Sequence, residues 1–516
     1  MRNLVLVFGD QLSHGLSALR DFDKSADKVW MAEVDQEATK VWCHKTRLTL
    51  FFSAMRHFRD ELRANDIEVD YHELTSRKSD DRGSDFETLL RKSVHKISPD
   101  RVIMTEPGDW FVRDAIERKC SELGVALEIR VDDHFYCSIV EFDAWQKNRK
   151  GLILENFYRW MRKRHNLLLD SDGEPEGGQW NFDKENRGTF GKSGPGETPH
   201  VISFHPDETT GAVIEMVNKR FADHPGTTEH FDYPVTAAEA KRSLTDFIKK
   251  RLPHFGDYQD AMWTDTSFLY HSRISAVMNM HMIDPAVAVN AAMDAYRSGH
   301  ASLNSVEGFV RQIVGWREFV RGIYWTKMPQ YIDRNSLACD DRDVPQSYWD
   351  GKTEMNCIKQ SMQNVLDHSY AHHIQRLMVL GLYAQLLGVH PRKFHDWHMA
   401  MYADAIDWVS LPNTLGMSQH GDGAVVGTKP YCASGAYVNR MGNYCKSCRF
   451  DPKKSTGDEA CPITTLYWDF LHRHRDDFKK NNRMVFQMKN LERKNPDELV
   501  QILDQADRVK REMDQI

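Results

Sequence analysis

Apolar and polar positions follow two different rhythms along this chain, and the change between them divides it. In the first third, short apolar runs at Leu4–Phe8, Val29–Val34, Ile67–Tyr71, Arg101–Thr105 and Ala126–Val131 have the length of buried strands. Between the second and third, Leu48, Phe51, Phe52, Met55, Phe58 and Leu62 recur within Thr46–Ala64. That helical spacing predicts one helix with a single buried face. Strands alternating with helices predict a parallel sheet covered on both sides, a Rossmann-like α/β domain over residues 1–137. Ligands of such sheets sit at the carboxyl ends of the strands. The first strand runs into Phe8-Gly9-Asp10-Gln11-Leu12, which is not the G-x-G-x-x-G dinucleotide fingerprint. It reads either as a plain loop or as a dock for a small ligand.

From residue 138 to 235 the pattern breaks down. The string GEPEGGQWNFDKENRGTFGKSGPGETPH is rich in Gly, Pro and charge and predicts a long connection over the surface, of a length that often serves function. From 236 to 516 helical spacing dominates, at Ala237–Arg251, Pro285–Arg297, Val306–Tyr324, Cys357–Leu366 and His373–Leu387. This predicts a large all-helical domain. The charged segment from Phe478 onward predicts a surface helix with a frayed end.

Composition narrows the class. With 516 residues, 41% of them hydrophobic and 28% charged, the chain can bury a sizeable core and is not disordered. A formal net charge of −7 withholds the bulk basic signal of nucleic-acid binders, so any such contact needs a local basic face. No apolar run approaches the ~20 residues of a membrane-spanning helix. The opening MRNLVLVFGD reads as a buried strand rather than a signal peptide. Nine cysteines without an export signal fit a reduced, cytoplasmic protein with a metal or cluster site better than a disulfide framework.

The cysteines carry the sharpest local signal. Cys445-x-x-Cys448 is followed by Cys461 with twelve residues between. Two thiolates three positions apart reach one metal from a single turn, and Cys357 is the candidate fourth ligand. Spacing alone does not separate zinc from an iron–sulfur cluster, although a Cys461-Pro462 pair also occurs in bacterial ferredoxin ligation. Cys43, Cys120, Cys137, Cys339 and Cys432 have no such partners and read as buried thiols.

Three strings place polar groups where a helix bundle does not need them. His271-Ser272-Arg273-Ile274-Ser275 offers hydroxyls and a guanidinium near a helix start, as a phosphate grip does. Val314-Gly315-Trp316-Arg317-Glu318-Phe319 sets Trp and Arg inside an apolar helix, and Tyr370-Ala371-His372-His373-Ile374-Gln375-Arg376 adds adjacent histidines. Singly, a helix cap, an i,i+4 ion pair and satisfied core histidines account for them.

Together these strings resemble the photolyase/cryptochrome family. HSRIS resembles its T-S-R-L-S phosphate loop for FAD, GWREF its I-W-R-E-F helix, and Arg376 and Asp404 fall where the family keeps an Arg–Asp pair beside the flavin ring. The strings FGDQL, FSAMRHF, TEPGDW, NFDKENR, YAHHIQRLM, LPNTLGMSQ and GTKPY, with the four cysteines, resemble the bacterial iron–sulfur branch, whose members repair (6-4) photoproducts. The resemblance spans nearly the whole chain.

It implies FAD in the helical domain, contacted by Tyr258, His271 to Ser275, Trp316, Arg317, Arg376 and Asp404. It implies a [4Fe–4S] cluster on Cys357, Cys445, Cys448 and Cys461, mainly structural. It also implies a 6,7-dimethyl-8-ribityllumazine antenna lined by Gly9, Asp10, Gln11, Glu33 and Glu37. Light-driven electron transfer from reduced FAD to UV-damaged DNA would use His373 as proton donor, with His372 in support and Tyr431 and Met417 bordering the lesion pocket. Asp183 and Arg187, with Asp260 and a divalent ion such as Mg2+, would lie near the DNA. Trp397 and Trp349 would relay electrons to the flavin. Here the sequence departs from relatives with tyrosines nearby, because His398 follows Trp397 and Ile406 comes later. Lys150, Arg159, Arg162 and Arg164 are candidate phosphate contacts. The expected protein is a monomer without membrane contact. A blue-light receptor on the same scaffold, a cyclobutane-dimer photolyase and a zinc-stabilised nucleic-acid binder without a chromophore are the competing readings.

Overall fold

The computed structural model describes residues 2–515. Five strands form one parallel sheet: β1 (Asn3–Leu6), β2 (Lys28–Ala32), β3 (Val69–His72), β4 (Arg101–Thr105) and β5 (Ala126–Arg130), in the order β3-β2-β1-β4-β5. The apolar runs of β1, β2 and β4 are near-continuous because both faces are covered, while the edge strands β3 and β5 are largely half-buried and carry polar residues. Val5, Val29, Met31 and Ile103 face the main core with the Lys45–Ala64 helix, while Leu4, Leu6, Trp30, Val102 and Met104 face a second core under the helices Phe86–Ile97 and Trp110–Leu123. Leu48, Phe52, Met55, Phe58 and Leu62 are buried as their spacing predicts, whereas Phe51 is only half-buried. The strand order reverses between β1 and β4, so the crevice of this sheet opens at their carboxyl ends.

The stretch 138–235 is more ordered than its composition predicts. It carries the helices Ile139–Gln146, Leu154–His165 and Glu208–Arg220, and irregular backbone is concentrated between residues 166 and 207. The remainder of the chain is helical. The predicted helices at Pro285–Arg297 and His373–Leu387 have those bounds, the latter with its middle turn widened. The segment predicted to fray is docked up to its last described helix. Its last helix, Pro496–Arg511, buries Ile502, Ala506 and Val509, and Lys510 pairs with Asp469 on the Pro462–Arg473 helix at 2.9 Å. No helix among the described residues is long and apolar enough to cross a membrane.

Polar groups knit the sheet to the helices. Leu12 N donates to Met280 O (2.9 Å), Trp408 N to Gly108 O (3.2 Å), and Trp110 N to Tyr324 Oη (2.8 Å). Glu318 accepts from the amides of Tyr136 and Cys137, both at 3.1 Å. Burial lifts its carboxyl to about 7 against the pull of Arg321 and Arg317.

Candidate active site and its neighbouring centres

A cavity of about 300 Å³ lies within the helices. Three helices that wall it are widened there to i→i+5 winding, at Arg311–Arg317, Arg376–Gly381 and Pro412–Ser418. Such widened turns recur at functional sites. They present Gln312, Trp316 and Arg317, then Arg376, then Thr414 and Met417, to the cavity. The whole His271–Ser275 string lines it too, together with His372, His373 and Asp404.

Arg376 holds Asp404 at two points, Nη1–Oδ1 2.8 Å and Nη2–Oδ2 3.1 Å, and Ser275 Oγ donates to Asp404 Oδ2 at 2.6 Å. Burial pushes the Asp404 carboxyl up, but Arg376 and Ser275 outweigh it and hold it below the usual range. Arg317 lies between the rings of Phe135 and Trp408, 4.6 Å from each, and donates to Asn279 Oδ1. Burial lowers its guanidinium to about 10. Arg273 is committed to structure: it pairs with Asp232 at 2.6 and 2.9 Å between the rings of Phe268 and Tyr233. Tyr258 does not line the cavity. It stacks between Phe190 and Tyr270, at 4.6 and 5.6 Å.

His271 and His372 stack face to face at 4.5 Å with planes 10° apart. Both ring nitrogens of His372, Nε2 of His271, Nε of Arg317 and Oγ of Ser410 are buried without a partner among the described residues, and all four side chains line the cavity. Buried polar groups are rarely left unpaired, so the cavity fits a polar occupant. His373 presents an accessible face, and that face belongs to the cavity wall. Enclosure and the nearby Arg376 charge push its imidazole down to about 4. Tyr431 lies outside these walls, in the field of Arg311, Arg483 and Asp183.

A second cavity, of about 130 Å³, occupies the carboxyl ends of β1, β2 and β4. Gly9, Asp10, Glu33 and Glu37 line it. Gln11 does not; its Nε2 donates to Glu106 O at 2.8 Å. Glu33 is fully engaged by Arg56 (2.8 and 2.9 Å), Tyr71 Oη (2.6 Å) and Leu74 N (2.8 Å). Burial lifts the Asp10 carboxyl to about 6. Gly108 is required beside it, since a Cβ would stand 2.3 Å from Asp10 Oδ2. Lys40 bridges Glu37 and Asp109 at 2.7 and 3.2 Å on the same wall.

Cys357, Cys445, Cys448 and Cys461 line one small cavity. Burial, then the nearness of Cys461, Cys445 and Cys448, pushes the Cys357 thiol well up. A Cβ at Gly435 would sit 2.9 Å from Cys461 Sγ, so only glycine lets the backbone pass this close. Among the described residues no group of three or more His, Cys, Asp or Glu side chains is placed to hold a metal ion. Cys43, Cys120 and Cys137 are buried, and Cys339 and Cys432 half-buried.

The connection NFDKENR is latched rather than loose. Phe182 N donates to Glu307 Oε2 (3.1 Å), Asn186 and Asn304 exchange hydrogen bonds (3.0 and 3.1 Å), and Gly188 N donates to Asp257 O (2.8 Å). Asp183 pairs with Arg311. Asp260 is lifted to about 6 by burial, against the attraction of Arg187.

The basic helix before it is less available to phosphate than its sequence predicts. Arg159 pairs with Glu155 at 2.7 Å and Arg164 with Glu141; Lys150 is exposed. Arg162 is 1% exposed and donates to the carbonyls of Leu167, Trp180 and Leu168. Arg162→Ala strands three buried acceptors, each worth about 1–3 kcal/mol. Thermal melting is expected to show a loss of roughly 3 kcal/mol or more; unchanged stability with a shallower salt dependence of DNA binding contradicts this role.

Of the aromatic pair, Trp397 is buried, packs on Phe394 at 5.6 Å and on Tyr348 at 4.9 Å, and donates Nε1–H to Tyr348 O at 2.9 Å. Trp349, next in the chain to Tyr348, is half-buried.

Known proteins resemble this chain in sequence and in fold. The (6-4) photolyase of Agrobacterium fabrum is 44% identical over 485 residues, 94% of each chain. A family profile described as deoxyribodipyrimidine photo-lyase-related protein matches residues 5–233. Among solved structures, a bacterial class III photolyase from Agrobacterium tumefaciens superposes with a TM-score of 0.56 at 16% identity, over 85% of this chain and 86% of that one. The cryptochrome of Synechocystis sp. PCC6803 does so with a TM-score of 0.54 at 12% identity, over 86% and 88%. These last two speak to the fold, which is the photolyase/cryptochrome fold. Near-full-length identity to the A. fabrum enzyme settles the lineage: this chain belongs to the photolyase family.

Proposed function

We propose that the protein is a light-driven DNA photolyase that reverses pyrimidine (6-4) photoproducts. The observation that carries this is the placing of His372, His373 and Met417 on the walls of the same cavity as the His271–Ser275 string and the Arg376–Asp404 pair. A proton donor and the grip for a redox cofactor then face one space. FAD, bound by that string, Arg317 and the Arg376–Asp404 pair, supplies the light-driven electron. The unpartnered nitrogens of His271, His372 and Arg317 give it donors and acceptors.

The lesion must leave the helix to enter the cavity, and a damaged pair costs least to open. His373, at the accessible part of the wall, then gives its proton to the lesion. In the free protein its imidazole is neutral at pH 7, because enclosure and Arg376 hold it down. DNA phosphates arriving with the lesion favour the charged form. Repair is therefore expected to slow as pH rises from about 4, where the free imidazole titrates, through the higher values that DNA phosphates would allow it, since the protonated fraction falls. A flat profile over that range contradicts the assignment.

The four cysteines hold a [4Fe–4S] cluster in this reading. Four cysteines on the walls of one small cavity can supply the four thiolates of such a cluster, and they tie the Asn356–His368 helix to the segment 445–461. The second cavity takes a lumazine antenna against Asp10, Glu37 and the half-buried ring of Phe51. Mg2+ joins Asp183 and Asp260 when a DNA phosphate approaches, so EDTA is expected to weaken binding to damaged DNA, and indifference to EDTA contradicts that ion. The protein works as a cytoplasmic monomer.

The first test is an absorption spectrum with an iron assay. Structured flavin bands over a broad brown background, with about four irons per chain, are expected. A colourless protein holding zinc contradicts the cofactor set.

A further inference from the structure

The route by which electrons reach the flavin lacks an obvious exit near Trp397. His398 is buried, Ile406 is aliphatic, and the Tyr402 ring lies under the Arg376 guanidinium at 4.0 Å, where positive charge disfavours its oxidation. Trp397 instead leans on Tyr348 and hydrogen-bonds its carbonyl, and the next residue is Trp349. The ring of Trp349 meets Trp42 with centroids 5.3 Å apart and planes at 47°. Trp42 belongs to the α/β part of the molecule, between the helices Asp35–Thr39 and Lys45–Ala64, and it is 43% exposed. The aromatic path from Trp397, which packs on the cavity-wall residue Phe394, thus crosses the seam between the two halves and surfaces at an indole.

We infer that Trp42 is the solvent-facing terminus of the electron path, a residue that serves flavin reduction from the other half of the chain. This rests on the reading of Trp397 and Trp349 as a relay. In the step, the light-excited oxidised flavin gains one electron and Trp397 loses one. The vacancy passes to Trp349 and then to Trp42. Water solvates charge far better than the interior does, and the exposed Trp42 radical cation releases its indole N–H proton to it. Trp397 has no such outlet, since its N–H is held by Tyr348 O in a buried setting. A thiol in solution then returns one electron and one proton to Trp42, and two thiyl radicals couple to a disulfide.

Transient absorption on flavin-loaded wild-type, Trp42→Phe and Trp397→Phe proteins separates the possibilities. Phenylalanine keeps the packing at Trp42 and removes the easily oxidised ring. The expected result is a long-lived tryptophanyl radical in wild type, none in W397F, and in W42F a radical that forms but decays about ten-fold faster or more. Peptide mapping after illumination in air gives a second readout: oxidised indole is expected at Trp42 in wild type and absent there in W397F. Loss of the radical in W397F with unchanged decay in W42F overturns the role of Trp42 and leaves the relay standing. An unaffected radical in W397F overturns the relay itself, and the inference with it.

Discussion

Replacing His373 with alanine is expected to lower (6-4) repair by about 10²- to 10⁴-fold, the usual worth of a positioned general acid, while flavin remains bound. The change leaves the local fold in place. His373 opens a short helix whose amino end is closed by its neighbours: Gln375 Oε1 accepts from His372 N at 3.1 Å. The cofactor grip is elsewhere, on Arg376, Asp404, Arg317 and the 271–275 string. Among the described residues the His373 ring stacks on no other ring, whereas His372 is stacked against His271. His372→Ala is accordingly the less informative variant, since it removes a packed ring as well as two nitrogens. Single-turnover repair under saturating light, with flavin content read from absorbance, checks the outcome. Full repair by H373A ends the proton-donor assignment.

Replacing Cys357 with serine is expected to remove the iron and to destabilise the helical half by roughly 4 kcal/mol or more, the range reserved for loss of a metal, disulfide or buried network. At about 2–4 °C per kcal/mol for a large domain, the melting temperature falls by about 10 °C. Cys357 is chosen because it is the distant member of the proposed ligand set. Cys445, Cys448 and Cys461 lie within one short segment, but Cys357 starts the Asn356–His368 helix, which leads through Ser369 to the histidines of the active cavity. Asn356 beside it already bonds Tyr444 O at 2.8 Å, so the proposed cluster would close a seam that polar contacts only begin. Iron assay and melting on the purified variant decide. A fully stable, active C357S protein lacking iron refutes a structural cluster.

Much of this architecture was legible in the residue pattern because its signals are local. Strands buried on both faces read as short apolar runs, and the Lys45–Ala64 helix announced itself by spacing alone. The cysteine set was legible from Cys445-x-x-Cys448, but its closure through Cys357 depends on a contact some ninety positions away, which spacing does not fix. What the pattern hid was tertiary. Arg162 looks like a surface cation beside Arg159 and Arg164, and nothing in its neighbours tells that three carbonyls enclose it. Gln11 looks equivalent to Asp10 until its amide is seen bonding Glu106. Glu33 reads as a sheet-edge charge or a ligand, yet Arg56, Tyr71 and Leu74 consume its oxygens. The widened turns at 311–317, 376–381 and 412–418 leave no periodic trace short enough to detect, although each carries a residue of the candidate site. The last helix looked frayed because its buried stripe of Ile502, Ala506 and Val509 is narrow among charges, and only its docking on the Pro462–Arg473 helix explains it.

Repair itself is read by a light-dependent assay on two oligonucleotides, one with a single (6-4) photoproduct and one with a cyclobutane dimer. Conversion of the (6-4) substrate to intact pyrimidines under blue light, none in the dark and little of the dimer, is the expected result. A flavin-bearing protein that repairs neither lesion in the light would contradict it and leave a light receptor on this fold.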